Sequence, residues 1–131
     1  MPISVGRLVE PFSSDMLFKS EAQSYRMAVQ CPCGREIKEA GEFKLLFLKK
    51  ELNEIDILCP NDTCYLRELG FIKFDVENGK AKFREAAFYP PFVTWNKSQL
   101  GEEEADKVLK KMLKELVTRY VDWNVLLAEA K

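Results

Sequence analysis

Cys31-Pro32-Cys33-Gly34 is the first of two short stretches that decide the fold of this chain, and Cys59-Pro60-Asn61-Asp62-Thr63-Cys64 is the second. Two closely spaced thiols in each of two turns are the pattern of a tetrahedral zinc site. The sequence therefore predicts that Cys31, Cys33, Cys59 and Cys64 bind one Zn²⁺ ion. Four thiolate ligands fill the coordination shell, so the predicted role of the metal is structural rather than catalytic.

Two other interpretations of the cysteines stay open at this point. Four separate buried thiols need no metal, because a free cysteine packs as a small apolar residue. A redox pair is the other alternative. A disulfide between Cys31 and Cys33 is geometrically awkward, since one residue separates them.

The residues before each cysteine pair favour β-structure. Tyr25, Met27 and Val29 recur at every second position, which predicts a strand over residues 24–30 that ends at Cys31. A second short strand is predicted over residues 55–58, immediately before Cys59. The other short elements predicted are a helix over residues 16–23 and strands over residues 35–38 and 43–48.

This arrangement resembles the zinc ribbon, and the resemblance covers about residues 24–76. Cys-Pro-Cys-Gly is a shortened form of the zinc knuckle Cys-Pro-X-Cys-Gly, in which glycine lets the backbone turn and point its amides at sulfur. Zinc ribbons are frequent in transcription, translation and RNA-processing machinery. The resemblance implies a binding role rather than an enzymatic one.

The composition fits one folded domain, or one small domain with an appendage. The chain has 131 residues, of which 47% are apolar, and this is enough for a core. It has 20 basic and 21 acidic residues, whereas domains that bind nucleic acid through their overall charge usually have a basic excess. Only a local basic patch is left for such a role.

Histidine is absent from the sequence. A zinc site must then consist of thiolates alone, and the commonest general acid or base is missing. We therefore expect a non-enzymatic protein, and a hydrolase or another enzyme without a recognisable motif is the less favoured alternative.

The apolar residues are not arranged for export or for a membrane. Residues 1–20 carry only scattered apolar side chains, interrupted by Glu10 and Asp15. No run approaches the roughly 20 apolar residues of a membrane-spanning helix. These features predict a cytoplasmic protein that does not bind a membrane.

A β-hairpin is predicted where residues 69–76 and 80–87 flank Asn78-Gly79, the preferred two-residue type I′ turn. The turn sets the register of the two strands. The expected cross-strand pairs are Val76 with Ala81, Phe74 with Phe83, Glu77 with Lys80, Asp75 with Lys82, and Lys73 with Arg84. The first two pairs form an apolar face that should pack inward.

The other face of this hairpin is a candidate surface for nucleic acid. Its basic residues are Lys73, Lys80, Lys82 and Arg84. They can contact phosphates, and Phe71 on the same face can stack on a base. The alternative is an ordinary solvated surface, on which Asp75 and Glu77 relieve the repulsion between like charges.

The C-terminal part is predicted to be helical. Pro90 and Pro91 interrupt an aromatic stretch over residues 88–95, which predicts an extended path with its rings in the core or stacked on bases. A long helix is expected to begin at about Ser98 and to reach the C-terminus. The predicted fold class is α+β, with a zinc-stapled antiparallel β domain over residues 1–97 and an amphipathic helix over residues 98–131.

Two functional hypotheses follow from these features. The first is a non-enzymatic zinc-binding module that contacts RNA or DNA, or a nucleoprotein machine, through the basic hairpin face. The second is a protein-interaction or assembly module, because the helix end over residues 120–127 is apolar nearly all round. In that case the helix forms a homodimer or docks the chain on a protein partner.

Overall fold

The computed structural model of the protein describes residues 11–13, 28–47 and 53–121. Three predictions fall outside these residues. They are the helix over residues 16–23, the beginning of the strand over residues 24–30, and the apolar helix end beyond residue 121. Self-association through that helix end therefore stays a prediction.

Seven strands and two α-helices form the described part of the chain. The strands are β1 (Phe12–Ser13), β2 (Val29–Gln30), β3 (Glu36–Ile37), β4 (Lys44–Phe47), β5 (Glu54–Leu58), β6 (Glu68–Glu77) and β7 (Lys80–Phe88). The helical elements are a 3-10 turn over Ala40–Glu42, α1 (Pro90–Leu100), α2 (Glu102–Glu115) and a π-helical turn over Leu116–Tyr120.

The strands form two antiparallel sheets. One has five strands in the order β1-β7-β6-β5-β4, and the other is the β2–β3 hairpin. The π-helical turn continues α2, so residues 102–120 form one long C-terminal helix. The predicted α+β fold class is confirmed.

The core lies between one face of the large sheet and the helices. Phe74 from β6, Phe92 from α1 and Leu113 from α2 belong to the same buried cluster. The Phe88 and Phe92 ring centroids are 4.9 Å apart. Part of the aromatic stretch over residues 88–95 is therefore core, and each such side chain contributes roughly 1.5–3 kcal/mol by its burial.

The Asn78-Gly79 hairpin forms as predicted near its turn. Asn78 and Gly79 have φ values of 52° and 74°, as a type I′ turn requires. The four predicted pairs nearest the turn are confirmed. The fifth is wrong, because Lys73 lies opposite Glu85 instead of Arg84.

A β-bulge beside Lys73 and Phe74 causes this difference. In an uninterrupted strand Phe83 and Glu85 would share one face, and the core would receive a carboxylate. The bulge adds one residue to β7, so that Phe83, Ala86 and Phe88 all reach the core. The apolar pattern of β7 therefore overrides the register that the turn would impose.

The extended path predicted for the two prolines is wrong. Pro90 and Pro91 form the first turn of α1, and the amides of Phe92 and Val93 both donate to the carbonyl oxygen of Tyr89. The first residues of a helix need no amide partner within the helix. Proline is therefore tolerated there, although it breaks a helix interior.

The long helix begins at Glu102, a few residues after its predicted start at about Ser98. Ser98 lies inside α1, where its hydroxyl donates to the Trp95 carbonyl oxygen. The helical conformation is interrupted at Gly101, which lies between α1 and α2. Its φ of 91° disfavours any residue with a Cβ atom. The predicted division of the chain between residues 97 and 98 falls within α1, and as a domain boundary it stays a prediction.

The described helices do not meet the requirements of a membrane span. None of them combines the length and the apolar character needed to cross a bilayer.

Candidate metal centre

The two sheets bring the cysteine pairs to one place. Cys31 directly follows β2 and Cys59 directly follows β5, so each pair follows a strand as predicted. Cys33 lies in the turn between β2 and β3, and Cys64 lies in the loop that leads to β6.

Short backbone hydrogen bonds hold both turns. The Gly34 amide donates to the Cys31 carbonyl oxygen at 2.8 Å, and the Cys31 amide donates to the Arg35 carbonyl oxygen at 2.9 Å. Gly34 has a φ of 102°, which a residue with a side chain rarely adopts. In the second turn the Cys64 amide donates to the Asn61 carbonyl oxygen at 3.0 Å.

The four sulfur atoms lie close enough together to hold one metal ion. All four Sγ atoms lie within 4.8 Å of one another. Cys31 Sγ is 3.5 Å from Cys64 Sγ, and Cys33 Sγ is 3.8 Å from Cys59 Sγ. Zinc–sulfur bonds of about 2.3 Å in a tetrahedron place neighbouring sulfurs about 3.8 Å apart. The four cysteines can therefore hold one metal ion, with ligands contributed by both turns.

N–H donors surround the sulfurs. The amide of Asn61 donates to Cys59 Sγ at 3.4 Å, and the amide of Arg67 donates to Cys64 Sγ at 3.3 Å. The side-chain Nδ2 of Asn61 donates to Cys33 Sγ at 3.6 Å. Such donors stabilise a thiolate and fix its direction, as outer-shell partners do at metal sites.

Burial opposes ionisation of the cysteines when no cation is present. It is the largest cause that raises the pKa of Cys31 far above its usual range, and it raises the pKa of Cys59 to about 11. Burial also acts on Cys33, but hydrogen bonds with the Arg35 amide, the Asn61 side chain and the thiols of Cys31 and Cys64 outweigh it and lower the pKa of Cys33 to about 7. Several buried thiolates thus need a bound cation to coexist.

Asn96 connects the first cysteine turn to α1, and the sequence analysis missed it. Its side chain is fully buried and pairs with Gln30, the residue before Cys31. Oδ1 accepts from the Gln30 amide at 2.8 Å, and Nδ2 donates to the carbonyl oxygens of Gln30 at 3.0 Å and Phe92 at 2.8 Å. The Asn96 side chain therefore supplies hydrogen-bond partners to backbone groups on the edge of β2. It also fixes the position of the residue that precedes Cys31.

Arg67 supports the second cysteine turn. Its Nη1 donates to the carbonyl oxygens of Cys59 at 2.8 Å and Asn61 at 3.0 Å. Asp62 in the same turn pairs with Arg67 and with Lys44 on β4. Hydrogen bonds and ion pairs thus connect residues within the loop over residues 59–67 and connect the loop to β4 at the edge of the large sheet.

The four basic residues predicted for nucleic acid lie along the β6–β7 hairpin. Lys80 and Lys82 are exposed, near the turn that lies about 30 Å along the strands from the metal centre. Arg84 pairs with Asp75 at 3.9 Å and with Glu85 at 3.8 Å. Lys73 lies opposite Glu54 and Glu85, with Nζ 5.4 Å from the Phe71 ring centroid. These cations are interleaved with carboxylates and do not form a concentrated patch.

Asp56 is a buried carboxyl group that strand alternation would have placed in solvent. It is 2% exposed, and its Oδ1 has no hydrogen-bond partner in the described structure. Burial is the largest cause that raises the pKa of Asp56 to about 8, followed by a hydrogen bond with Glu54 and the charges of Glu54 and Glu68. Burial, followed by the charges of nearby carboxylates, also raises the pKa of Tyr89. At neutral pH the Asp56 carboxyl group is therefore largely protonated.

Comparisons with known proteins add no family assignment. No protein-family model, curated protein or solved structure matches the chain.

Proposed function

We propose that this chain is a non-enzymatic binding module whose fold is held together by one structural Zn²⁺ ion. The arrangement of the four Cys Sγ atoms, all within 4.8 Å of one another, carries this proposal. Zinc prefers tetrahedral thiolate coordination, and a site with four cysteine ligands has no open position for a substrate. The ion supplies a crosslink between the β2–β3 turn and the loop after β5.

Elemental analysis of the purified protein tests the identity and the role of the metal. We expect one zinc ion per chain and no visible absorbance of the kind that iron–sulfur clusters give. The Cys33→Ser variant should lose zinc, because three thiolates and a hydroxyl bind it much less tightly. The Ser98→Ala variant is the matched control and should keep one zinc ion per chain.

Substoichiometric zinc in freshly purified protein would contradict the proposal. So would stoichiometric iron, because an iron–sulfur cluster would give the site a redox role instead of a structural one.

Binding of nucleic acid is the second candidate function, and the exposed lysines of the hairpin support it. In the part of the chain that the structure describes, Lys80 and Lys82 make no ion pair, although Asp75 and Glu77 lie opposite them. Their ammonium groups are therefore free to contact phosphates. The interleaved carboxylates weaken the case for nucleic-acid binding, which is less well supported than the metal-stabilised module.

Salt-dependent binding of a labelled single-stranded uridine oligonucleotide tests this candidate. Affinity should fall steeply with added salt, since phosphate contacts release counterions. A double variant, Lys80→Gln with Lys82→Gln, should reduce the magnitude of the log–log salt slope by about 1.4, which corresponds to two lost contacts with a single strand. The control Lys38→Gln lies far from the hairpin turn and should leave the slope unchanged. Salt-independent binding, or equal losses in both variants, would contradict a role for the hairpin.

A further inference from the structure

An open groove of about 330 Å³ runs between the two cysteine turns and the first turns of α1. Pro32 from the first cysteine turn and Tyr65 and Leu66 from the second line one part of it. Pro91 and Trp95 from α1 line another. The groove therefore exists only where the metal-binding loops and the helix meet.

Two large aromatic side chains are exposed at this groove. Tyr65 is 78% exposed and Trp95 is 36% exposed, in a protein that buries most of its described large apolar side chains. Tryptophan and tyrosine are the side chains that most often dominate binding energy at protein interfaces. Their exposure at one groove indicates a binding surface.

The groove offers hydrogen-bond donors without partners. The Trp95 indole N–H, the Tyr65 hydroxyl and the Thr94 hydroxyl make no hydrogen bond among the described residues. The indole N–H can only donate. An occupant that presents carbonyl oxygens fits these groups.

The groove carries no charge. No described Asp, Glu, Lys or Arg side chain lines it, and the cations next to the lining residues in sequence have partners. Arg67 donates to backbone carbonyl oxygens, Lys97 pairs with Glu102 at 3.9 Å, and Arg35 pairs with Glu42 at 3.3 Å. A phosphodiester chain needs free cations along its path, so the charge distribution favours an uncharged occupant.

We propose that this groove binds an uncharged, proline-rich polypeptide segment in the polyproline II conformation. Such a segment is already extended before binding, and its carbonyl groups make no internal hydrogen bonds. Aromatic-lined grooves bind it by packing prolines against the rings and donating hydrogen bonds to its carbonyls. Trp95 and Tyr65 supply the rings, and their polar ends together with Thr94 supply the donors. The assignment rests on the proposed metal-stabilised binding module and names the class of its partner.

Two prolines restrict the backbone that borders the groove. Pro32 lies between two predicted zinc ligands, and Pro91 lies in the first turn of α1. The backbone φ angle is therefore fixed at both positions before a partner binds. Preorganisation of this kind reduces the entropy that binding removes.

Titration of the ¹⁵N-labelled, zinc-loaded protein with a blocked ten-residue oligoproline peptide tests the proposal. We expect the Trp95 indole resonance and the Tyr65 and Leu66 amides to shift in a saturable manner. Comparison with the Trp95→Phe spectrum distinguishes the indole of Trp95 from that of Trp123. A Gly-Ser peptide of equal length should produce no saturable shift.

Variants separate the contributions of the ring and the indole N–H. Trp95→Ala should weaken oligoproline binding by at least about tenfold, because it removes the central ring. Trp95→Phe keeps a ring and removes the donor, so about fivefold is expected. Leu46→Ala changes an apolar side chain that is also exposed, at 47%, but lies on β4 outside the groove, and it should bind normally.

The measurements distinguish failure of this proposal from failure of the metal proposal. Folded, zinc-loaded protein that oligoproline leaves unshifted at millimolar concentration overturns the groove assignment alone. Shifts at the groove caused by a uridine oligonucleotide and not by oligoproline also overturn it, in favour of single-stranded nucleic acid. Folded protein that lacks zinc yet binds oligoproline would contradict only the metal.

Discussion

Replacing Cys64 with serine is expected to abolish cooperative folding of the protein. Serine is close to cysteine in size, so the change removes a ligand without opening a large cavity. Structural zinc contributes roughly 10–16 kcal/mol of binding free energy in small zinc domains, which is as much as the whole stability of a typical domain, roughly 5–15 kcal/mol. Loss of the metal should therefore leave a chain without a sharp thermal transition when unfolding is followed by circular dichroism.

Chelation provides the complementary experiment with the unmodified chain. A strong chelator should convert it to the same unfolded form, and added Zn²⁺ should restore the fold of the unmodified chain but not that of Cys64→Ser. Tyr65→Ala is the matched neighbour, since Tyr65 is 78% exposed and its loss should change stability by no more than about 0.5 kcal/mol. A sharp transition in Cys64→Ser at the temperature of the unmodified protein would refute a structural metal.

Replacing Asn96 with alanine is expected to lower the free energy of unfolding by roughly 3–5 kcal/mol, because two part-buried groups of Gln30 and the buried Phe92 carbonyl oxygen lose this partner at once. The amide and the carbonyl oxygen of Gln30 both hydrogen-bond to the Asn96 side chain. The Asn96 side chain also donates a hydrogen bond to the Phe92 carbonyl oxygen. Urea unfolding of the zinc-loaded protein measures the change. Because Gln30 precedes Cys31, chelators should also remove zinc faster from the variant.

An aspartate at position 96 tests the same pairing with a side chain of nearly equal shape. Its carboxylate can accept from the Gln30 amide but repels the carbonyl oxygens to which the Asn96 amide donates. Asn96→Asp should therefore be about as destabilising as Asn96→Ala near neutral pH. Ser98→Ala, two residues further along α1 and exposed, is the control. A loss of less than about 1 kcal/mol in Asn96→Ala would show that water satisfies Gln30 instead.

The cysteine site and the hairpin turn were predictable because their signals are local. Thiols are the usual soft ligands of zinc, and their spacing within each turn limits how they can coordinate it. Asn78-Gly79 likewise indicates its turn through backbone preference alone. Neither prediction needed knowledge of a distant contact.

The wrong predictions concern residue types that are compatible with two local structures, and positions whose structure is determined by a contact distant in sequence. Pro90 and Pro91 can end a helix or begin one, and packing of Phe92 against the sheet selects the second. The bulge at Lys73 follows from the apolar phase of β7, which overrides the preference of the turn. Nothing near Asn96 in the sequence indicates that its partner is Gln30, 66 positions earlier. The protonated state of Asp56 depends likewise on its burial in the folded sheet, with a further contribution from Glu54 on the same strand.

The separation of the two cysteine turns along the chain affects how the protein is made. At a synthesis rate of about 5–20 residues per second, the second thiol pair leaves the ribosome roughly 2–6 seconds after the first. Pairing of β1 in the sheet comes later still, because the partner of Phe12 is Ala86 on β7. The nascent chain therefore exposes the first pair of thiols without its metal-binding partners until the second pair has emerged. Metal capture and closure of the sheet become late steps of biosynthesis, and the first thiol pair must escape oxidation until then.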